Sequence, residues 1–329
     1  MILDPIRLII GAVFLLYASV LDIRTRRVQN IVWVILGAIG ILFLHLHILL
    51  EGSWYHHFVI LPLIPLYSFP FLELEKKPDL QNGIITPIMW YLMIAVGFLG
   101  IIILIFFGGS GFFNLTLLAT CVFIVLIYLM YFTGLIFGGA DAKGMMALTL
   151  LVPFYPHFSK FPLFETDIEA IELVFTFPVV ILTMSVVIFA FLPLAMAGYN
   201  LTRGDFGLPM FLGYKRKLTE IPGTFVWLME RPQYKNSYGI KLMTMVGETS
   251  GMEDWLREQM FTGEITMEYF PKKSSVNTMD TDLRILEKQG RDSVWVTPKI
   301  PFMVAIFVGY IVAFLFGNLL FALMDRIMG

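Results

Sequence analysis

The sequence contains little cysteine and little charge. Its 329 residues include a single cysteine, Cys121, which excludes a disulfide framework, a four-cysteine zinc site and a cysteine-bound iron–sulfur cluster. Charged residues make up only 15% of the chain, whereas 58% of the residues are hydrophobic. A soluble domain could not keep such an apolar surface in water. The composition is therefore typical of a polytopic helical membrane protein.

Eight apolar runs approach or reach the length that a helix needs to cross a bilayer. The third contains Pro62, Pro65 and Pro70, so we expect it to be kinked or only partly spanning. The first is followed by Asp-Ile-Arg instead of small residues, which predicts a retained helix and not a removed signal peptide. The runs are 6–21, 31–50, 58–72, 88–107, 112–137, 144–156, 170–197 and 300–324.

Charge returns in residues 199–298, which hold 13 basic and 13 acidic residues. Strand-like pieces at 264–270 and 292–297 and an amphipathic piece at 252–260 predict a small α+β soluble domain there. The predicted fold is thus an all-α polytopic membrane protein with six to eight spanning helices and this inserted domain. Its predicted divisions are 1–198 with seven helices, 199–298 soluble, and 299–329 with the last helix.

The distribution of lysine and arginine among the connections predicts the orientation of the chain. With both termini outside, most basic residues of the short connections fall on the cytoplasmic side, together with the whole of 199–298. On this topology Asp22 ends the first helix and Asp141 begins the sixth at the same, cytoplasmic, face. Two carboxylates that are far apart in sequence would then lie at one membrane depth.

Two short motifs carry these carboxylates. Residues 137–143 join two apolar runs, and Gly138, Gly139 and Ala140 leave little bulk beside Asp141, which suits a turn that another chain approaches. The alternative is a glycine-rich helix breaker whose Asp caps the next helix. The other motif runs from Asp22 through Arg24 to Asn30, where we expect the N-cap of the second helix; alternatively it is only a basic anchor.

Together the two motifs resemble those of the type IV prepilin peptidases, most closely their archaeal preflagellin/prepilin branch, which are membrane aspartyl proteases of the GxGD type. A weaker resemblance lies at residues 297–302, where the family often has Ile-Pro-Phe. Alanine at 140 replaces the commoner glycine. The matching residues are Asp22, Arg24, Val28 and Asn30 in the first motif, and Gly138, Ala140, Asp141 and Lys143 in the second.

The resemblance implies that Asp22 and Asp141 are catalytic and activate water for peptide hydrolysis. The implied partners are a flagellin- or pilin-like precursor with a short basic leader, and the lipid bilayer; no nucleic acid, cofactor or metal is expected. Lys143 either keeps Asp141 ionised or caps the loop at the headgroups, and Arg24 and Asn30 are expected to fix the first loop. Acidic residues of the soluble domain either hold the basic leader or belong to a stability or partner module, namely Glu253, Asp254 and Glu258.

Two other functions remain open on the sequence. A proton-coupled transporter also places carboxylates in apolar surroundings, although such carriers usually keep them near mid-membrane and show inverted repeats. An inactive scaffold descended from the peptidases would retain the motifs without activity.

Overall fold

The computed structural model describes residues 3–73, 87–136, 138–156, 161–164, 176–235, 259–269, 276–319 and 322. Within these residues, five helices are long and apolar enough to cross a membrane. The prediction of a polytopic helical membrane protein with a small sheet-containing domain is confirmed. The five candidate spans are Leu3–Thr25, Asn30–Glu51, Tyr91–Gly108, Phe112–Phe132 and Phe177–Arg203.

The chain divides into two compact units. The first comprises Met1–Phe189 with Pro301–Gly329, and the second comprises Ala190–Ile300. The third apolar run forms a 14-residue helix with Pro65 and Pro70 inside it, too short to appear among the candidate spans. The helices are α1 (Leu3–Thr25), α2 (Asn30–Glu51), α3 (Ile60–Glu73), α4 (Pro87–Gly108), α5 (Phe112–Phe132), α6 (Gly139–Leu151), α7 (Phe177–Ala190), α8 (Leu192–Arg203), α9 (Val276–Lys288) and α10 (Phe302–Phe316).

Helices α2 and α6 pack with their backbones close together. A Cβ atom added at Gly40 in α2 would lie only 2.8 Å from the backbone nitrogen of Leu151 and 2.8 Å from Cβ of Leu150. Small residues permit this approach between membrane helices, where dispersion contacts and not solvent exclusion drive association. Contacts also join the first turns of the two helices, so α2 and α6 run in the same direction. The predicted alternating topology requires this of the second and sixth helices.

Helices α1 and α10 run antiparallel and are joined by hydrogen bonds at two levels. The Ser19 hydroxyl donates to the carbonyl of Met303 at 3.1 Å. Nearer the other end of α1, the Tyr310 hydroxyl donates to the carbonyl of Arg7 at 2.8 Å. The Tyr310 ring occupies the space that a side chain at Gly11 would need. These contacts place the start of α10 beside the last turns of α1.

Arg7 is fully buried and pairs with Asp4 at 3.2 Å while donating to the carbonyl of Phe43 at 3.2 Å. Because its charge is satisfied within the protein, Arg7 joins α1 to α2 and does not act as a headgroup anchor.

The second unit is built around a three-stranded antiparallel sheet with the order β1-β5-β2, and it also contains an antiparallel β3–β4 pair. The sheet packs with the amphipathic helix α9 on a core that includes Leu218, Leu228, Leu286 and Val296. The strand-like pieces at 264–270 and 292–297 overlap β4 and β5, whereas 252–258 lies outside the described residues. The strands are β1 (Tyr214–Lys217), β2 (Val226–Leu228), β3 (Glu230–Tyr234), β4 (Phe261–Met267) and β5 (Ser293–Pro298).

Replacing Gly40 with valine should push α2 and α6 apart, because the new side chain meets backbone that cannot move away. We expect a loss of about 1–3 kcal/mol, measured as a lower midpoint of thermal unfolding in detergent. Gly198→Val in α8 is the matched control, since nothing lies within 4 Å of a Cβ there. Equal midpoints for the two variants would contradict the close α2–α6 packing.

Candidate active site

The first motif occupies the last turn of α1 and the turn that follows it. Asp22 is partly buried in that last turn, and the chain leaves the helix at Arg26, which adopts a left-handed conformation with φ 56°. The Arg26 N–H donates to the carbonyl of Asp22 at 3.1 Å and so ends α1. Glycine is the usual residue at such a left-handed helix terminus. The backbone of Met303, at the start of α10, hydrogen-bonds the Asp22 carboxylate.

The basic residue whose charge acts on Asp22 is Arg26. Arg24, which was expected to fix this loop, is exposed on α1. The spacing of four residues between Asp22 and Arg26, typical of neighbours on a helix, was a signal that could have found it.

Asn30 is the first residue of α2 and not its N-cap, so that expectation was wrong. Gln29 takes the N-cap position, with φ −67° and ψ 141°. The Asn30 side chain turns instead toward α6, where its Oδ1 accepts a hydrogen bond of 2.7 Å from Nζ of Lys143. This bond joins the two motifs across 113 residues of sequence.

Lys143 is a buried residue, with 5% of its surface exposed. Its ammonium group lies 4.8 Å from the centroid of the Phe71 ring, a distance at which a cation is attracted to an aromatic face. A buried ammonium bound to Asn30 does not lie among headgroups, so the headgroup-cap interpretation of Lys143 was wrong. The contact favours a role in holding α6 against α2.

The second motif is helical from Gly139 onward, whereas the sequence predicted a turn there or a breaker whose Asp caps the next helix. Gly138 is the N-cap of α6, and Gly139, Ala140, Asp141 and Lys143 lie in its first two turns, while Phe137 falls outside the described residues. The Asp141 carboxylate folds back over Gly138, where a Cβ would collide with Oδ2 of Asp141. Backbone conformation does not require glycine at 138, since its φ of −98° suits any residue. Glycine is required there because a Cβ would fill the space that the Asp141 carboxylate occupies.

The two motif aspartates interact electrostatically. Burial, and after it the charge of Asp22, raises the pKa of Asp141 to about 7. Asp141 lies in the first turn of α6, which is not among the five candidate spans. Two carboxylates that repel each other in a partly buried site share a proton over a range of pH, and their titrations belong to the pair.

Packing around Gly144, one turn beyond Asp141, involves residues that sequence reasoning missed. A Cβ at Gly144 would lie 3.1 Å both from Cε of Met303 and from the ring of Trp33. Trp33 is fully buried in α2, and its carbonyl accepts a hydrogen bond of 2.5 Å from the Tyr67 hydroxyl. The weak resemblance at 297–302 pointed near Met303, whereas no sequence signal marked Trp33 or Tyr67.

In the described part of the chain, no three His, Cys, Asp or Glu side chains come together as a set of metal ligands.

The fold and the site define the protein as a polytopic membrane protein in which two carboxylates from distant segments, each near a helix end, interact electrostatically. Residues 208–319 match the model of a family described as Archaeal Peptidase A24 C-terminus Type II. This match, which covers less than half of the chain, supports the archaeal prepilin/preflagellin peptidase family that the motifs predict, and a peptidase of that family acts on a protein substrate. No curated protein matches the chain.

Adding a methyl group at Gly138 should displace the Asp141 carboxylate, because Oδ2 occupies that space. We expect Gly138→Ala to lower peptidase turnover by about 10²-fold or more, as for loss of a positioned acid or base. Gly111→Ala is the matched control, since Gly111 is the N-cap of α5 and a Cβ there would lie 3.6 Å from the Gly108 carbonyl oxygen, an ordinary contact. Turnover and folded fraction are measured for both. Equal turnover would contradict the geometry.

Lys143 and Asn30 should behave as one unit in a double-mutant cycle. Lys143→Met and Asn30→Ala each remove the 2.7 Å bond, so the double variant should be no less stable than the worse single one. We expect a coupling of about 1.5–3 kcal/mol, the range for a hydrogen bond to a charged group, from chemical unfolding in detergent. Additive losses would show that the bond contributes little.

Proposed function

We propose that the protein is a membrane aspartyl endopeptidase that removes the short basic leader of preflagellin- or prepilin-like precursors at the cytoplasmic face. The observation that carries this proposal is the electrostatic coupling of Asp22 to Asp141 across 119 residues of sequence. Hydrolysis by two aspartates requires one proton shared between them, and a mutually repelling pair provides that state.

The coupled pair suggests a role for each carboxylate. Asp141, the more deeply buried and with its pKa raised to about 7, carries the shared proton, and Asp22, beside the charge of Arg26, is the ionised base. Asp22 takes a proton from water as the water oxygen bonds to the scissile carbonyl carbon. Asp141 donates to the carbonyl oxygen. When the C–N bond breaks, protonated Asp22 gives its proton to the leaving amine nitrogen, and a hydroxyl of the tetrahedral gem-diol returns a proton to Asp141 as the new carboxylic acid forms.

The surroundings of the pair suit an extended peptide. Gly138 and Gly139 present backbone with no Cβ at the start of α6, and the Asp141 carboxylate lies over that backbone. A precursor cut at the membrane edge offers extended chain just before its own hydrophobic helix enters lipid, so little helix has to unwind. The bond between Lys143 and Asn30 holds the starts of α6 and α2 in register, and with them the helix end that bears Asp141.

Part of the substrate hypothesis concerns acidic residues outside the described residues. Glu253, Asp254 and Glu258 remain proposed contacts for the basic leader, since a leader of opposite charge would be attracted to them. Reversing the charge of these three residues should leave cleavage unchanged if the segment instead serves stability or partner binding.

The test of the proposal is cleavage of a panel of precursors by the protein in proteoliposomes, read as the loss of leader mass. Asp22→Asn and Asp141→Asn should each lower turnover by about 10²–10⁴-fold, because each removes one half of the acid–base pair. Glu51→Gln is the control, as this carboxylate is 54% exposed and lies at the far end of α2.

Unfolding midpoints of the variants establish that loss of turnover is not loss of fold. Normal cleavage by either asparagine variant would refute the two-aspartate mechanism. A transporter would be favoured if the wild type cleaved no precursor and both asparagine variants lost a proton-coupled uptake of solute. A scaffold would be favoured if the variants differed from the wild type in neither assay.

A further inference from the structure

Exposed apolar side chains of the second unit are concentrated in a few places. Beyond the candidate span that ends at Arg203, the large exposed hydrophobic residues of the described chain up to Ile300 are Phe206, Leu208, Phe211, Phe225 and Tyr269. Phe206 and Leu208 are the most exposed, at 70% and 72%. We call the first four residues, which exclude Tyr269, the sheet-end surface.

The strand register brings the segments of the sheet-end surface to one end of the three-stranded sheet. Because β5 is antiparallel to both neighbours, its last residues pair with the first residues of β1 and β2: Val296 lies opposite Tyr214, and Pro298 lies opposite Val226. Phe211 lies three residues before β1, and Phe225 immediately precedes β2.

Hydrogen bonds hold these segments to the end of α8. The buried Asn200 side chain, in the last turn of α8, donates to the carbonyls of Met210 at 2.8 Å and Gly213 at 2.6 Å. Thr297 in β5 donates to the carbonyl of Leu212 at 2.5 Å. The segment carrying Phe206, Leu208 and Phe211 is therefore fixed between α8 and β5, and it is not a loose loop.

Both covalent connections of this unit to apolar helices leave from the same end of the sheet. The span Phe177–Arg203 ends three residues before Phe206 and five residues before Leu208. Even a fully extended chain would place Leu208 at most about 17 Å from Arg203. At the other connection, the Lys299 N–H donates to the carbonyl of Phe225 at 2.9 Å, three residues before α10 begins at Phe302. Phe206 and Leu208 are therefore joined to a candidate span by only a few residues of chain, and Phe225 is hydrogen-bonded to the connection that leads to α10.

Basic and aromatic residues accompany the sheet-end surface. The Lys299 ammonium lies 5.6 Å from the centroid of the Trp227 ring. Arg203 is exposed and donates to the Tyr199 hydroxyl at 2.7 Å. Lys215 pairs with Asp205 at 3.2 Å, so one local acidic charge is already matched. Aromatic rings with lysine and arginine around an apolar patch are typical of surfaces that bind the interface of an anionic leaflet.

We propose that the sheet-end surface inserts into the headgroup–acyl boundary of an anionic leaflet and binds this unit to the membrane surface. The apolar side chains enter the boundary, while Arg203 and Lys299 face lipid phosphates. The continuity of the surface with a candidate span, together with its positive flank, favours lipid over a protein partner.

The experiment measures the depth of single labelled cysteines in the full chain. Cys121 is the only cysteine and is buried, so Cys121→Ala supplies the background. Phe206→Cys tests the surface, and Tyr269→Cys is the matched control, because Tyr269 is also exposed, at 40%. Tyr269 follows Glu268, whose N–H donates to the carbonyl of Met229. Met229 follows the last residue of β2, whereas Phe225 of the sheet-end surface precedes its first residue. Both variants carry a nitrobenzoxadiazole label in vesicles of phosphatidylcholine and phosphatidylglycerol.

We expect a lipid-borne quencher to reduce the emission at 206 severalfold more than at 269, and a water-soluble quencher to show the reverse order. Replacing phosphatidylglycerol with phosphatidylcholine should weaken lipid quenching at 206. Equal quenching of both sites by the water-soluble reagent would overturn the proposal, and so would protection of site 206 from both quenchers, which indicates a protein partner.

Discussion

The repulsion between two carboxylates is the constraint on which the rest of the site depends. Asp22 and Asp141 come from segments that are 119 residues apart, and burial of Asp141 makes their approach costly. Contacts elsewhere must therefore hold them together. The close α2–α6 packing at Gly40 provides one of these contacts, and the bonds of Ser19 and Asp22 to the Met303 backbone provide others between α1 and α10.

Lys143 shows how a motif residue can join two distant helices. Its ammonium joins Asn30 of the first motif to the helix that carries Asp141, and it lies over Phe71 of α3. An ammonium is expensive to bury unless it is hydrogen-bonded, so the arrangement is stable only when both helices are in place. Because the buried ammonium needs its hydrogen bond to Asn30, Lys143 favours the one packing of α2 against α6 that brings these two residues together.

Much of the fold could be predicted from sequence because it depends on local composition. The apolar runs and the charged stretch specified membrane helices and an inserted α+β domain, and the two motifs identified the family. The prediction failed where a local pattern competes with a tertiary contact. Asn30 was expected to cap α2, but its side chain bonds Lys143 instead. The glycines at 138 and 139, expected to form a turn, are the N-cap and first residue of α6, and the Asp141 carboxylate occupies the space over Gly138.

The sequence by itself determined that the chain enters membranes, where its helices lie and which two aspartates to suspect, since hydropathy and motif spacing are local properties. Only the tertiary structure decided that Arg26 and not Arg24 acts on Asp22, that Trp33 and Met303 pack beside the acidic pair, and that Lys143 is buried. These features depend on distances between residues far apart in the chain, which arise when helices pack and which no local pattern encodes.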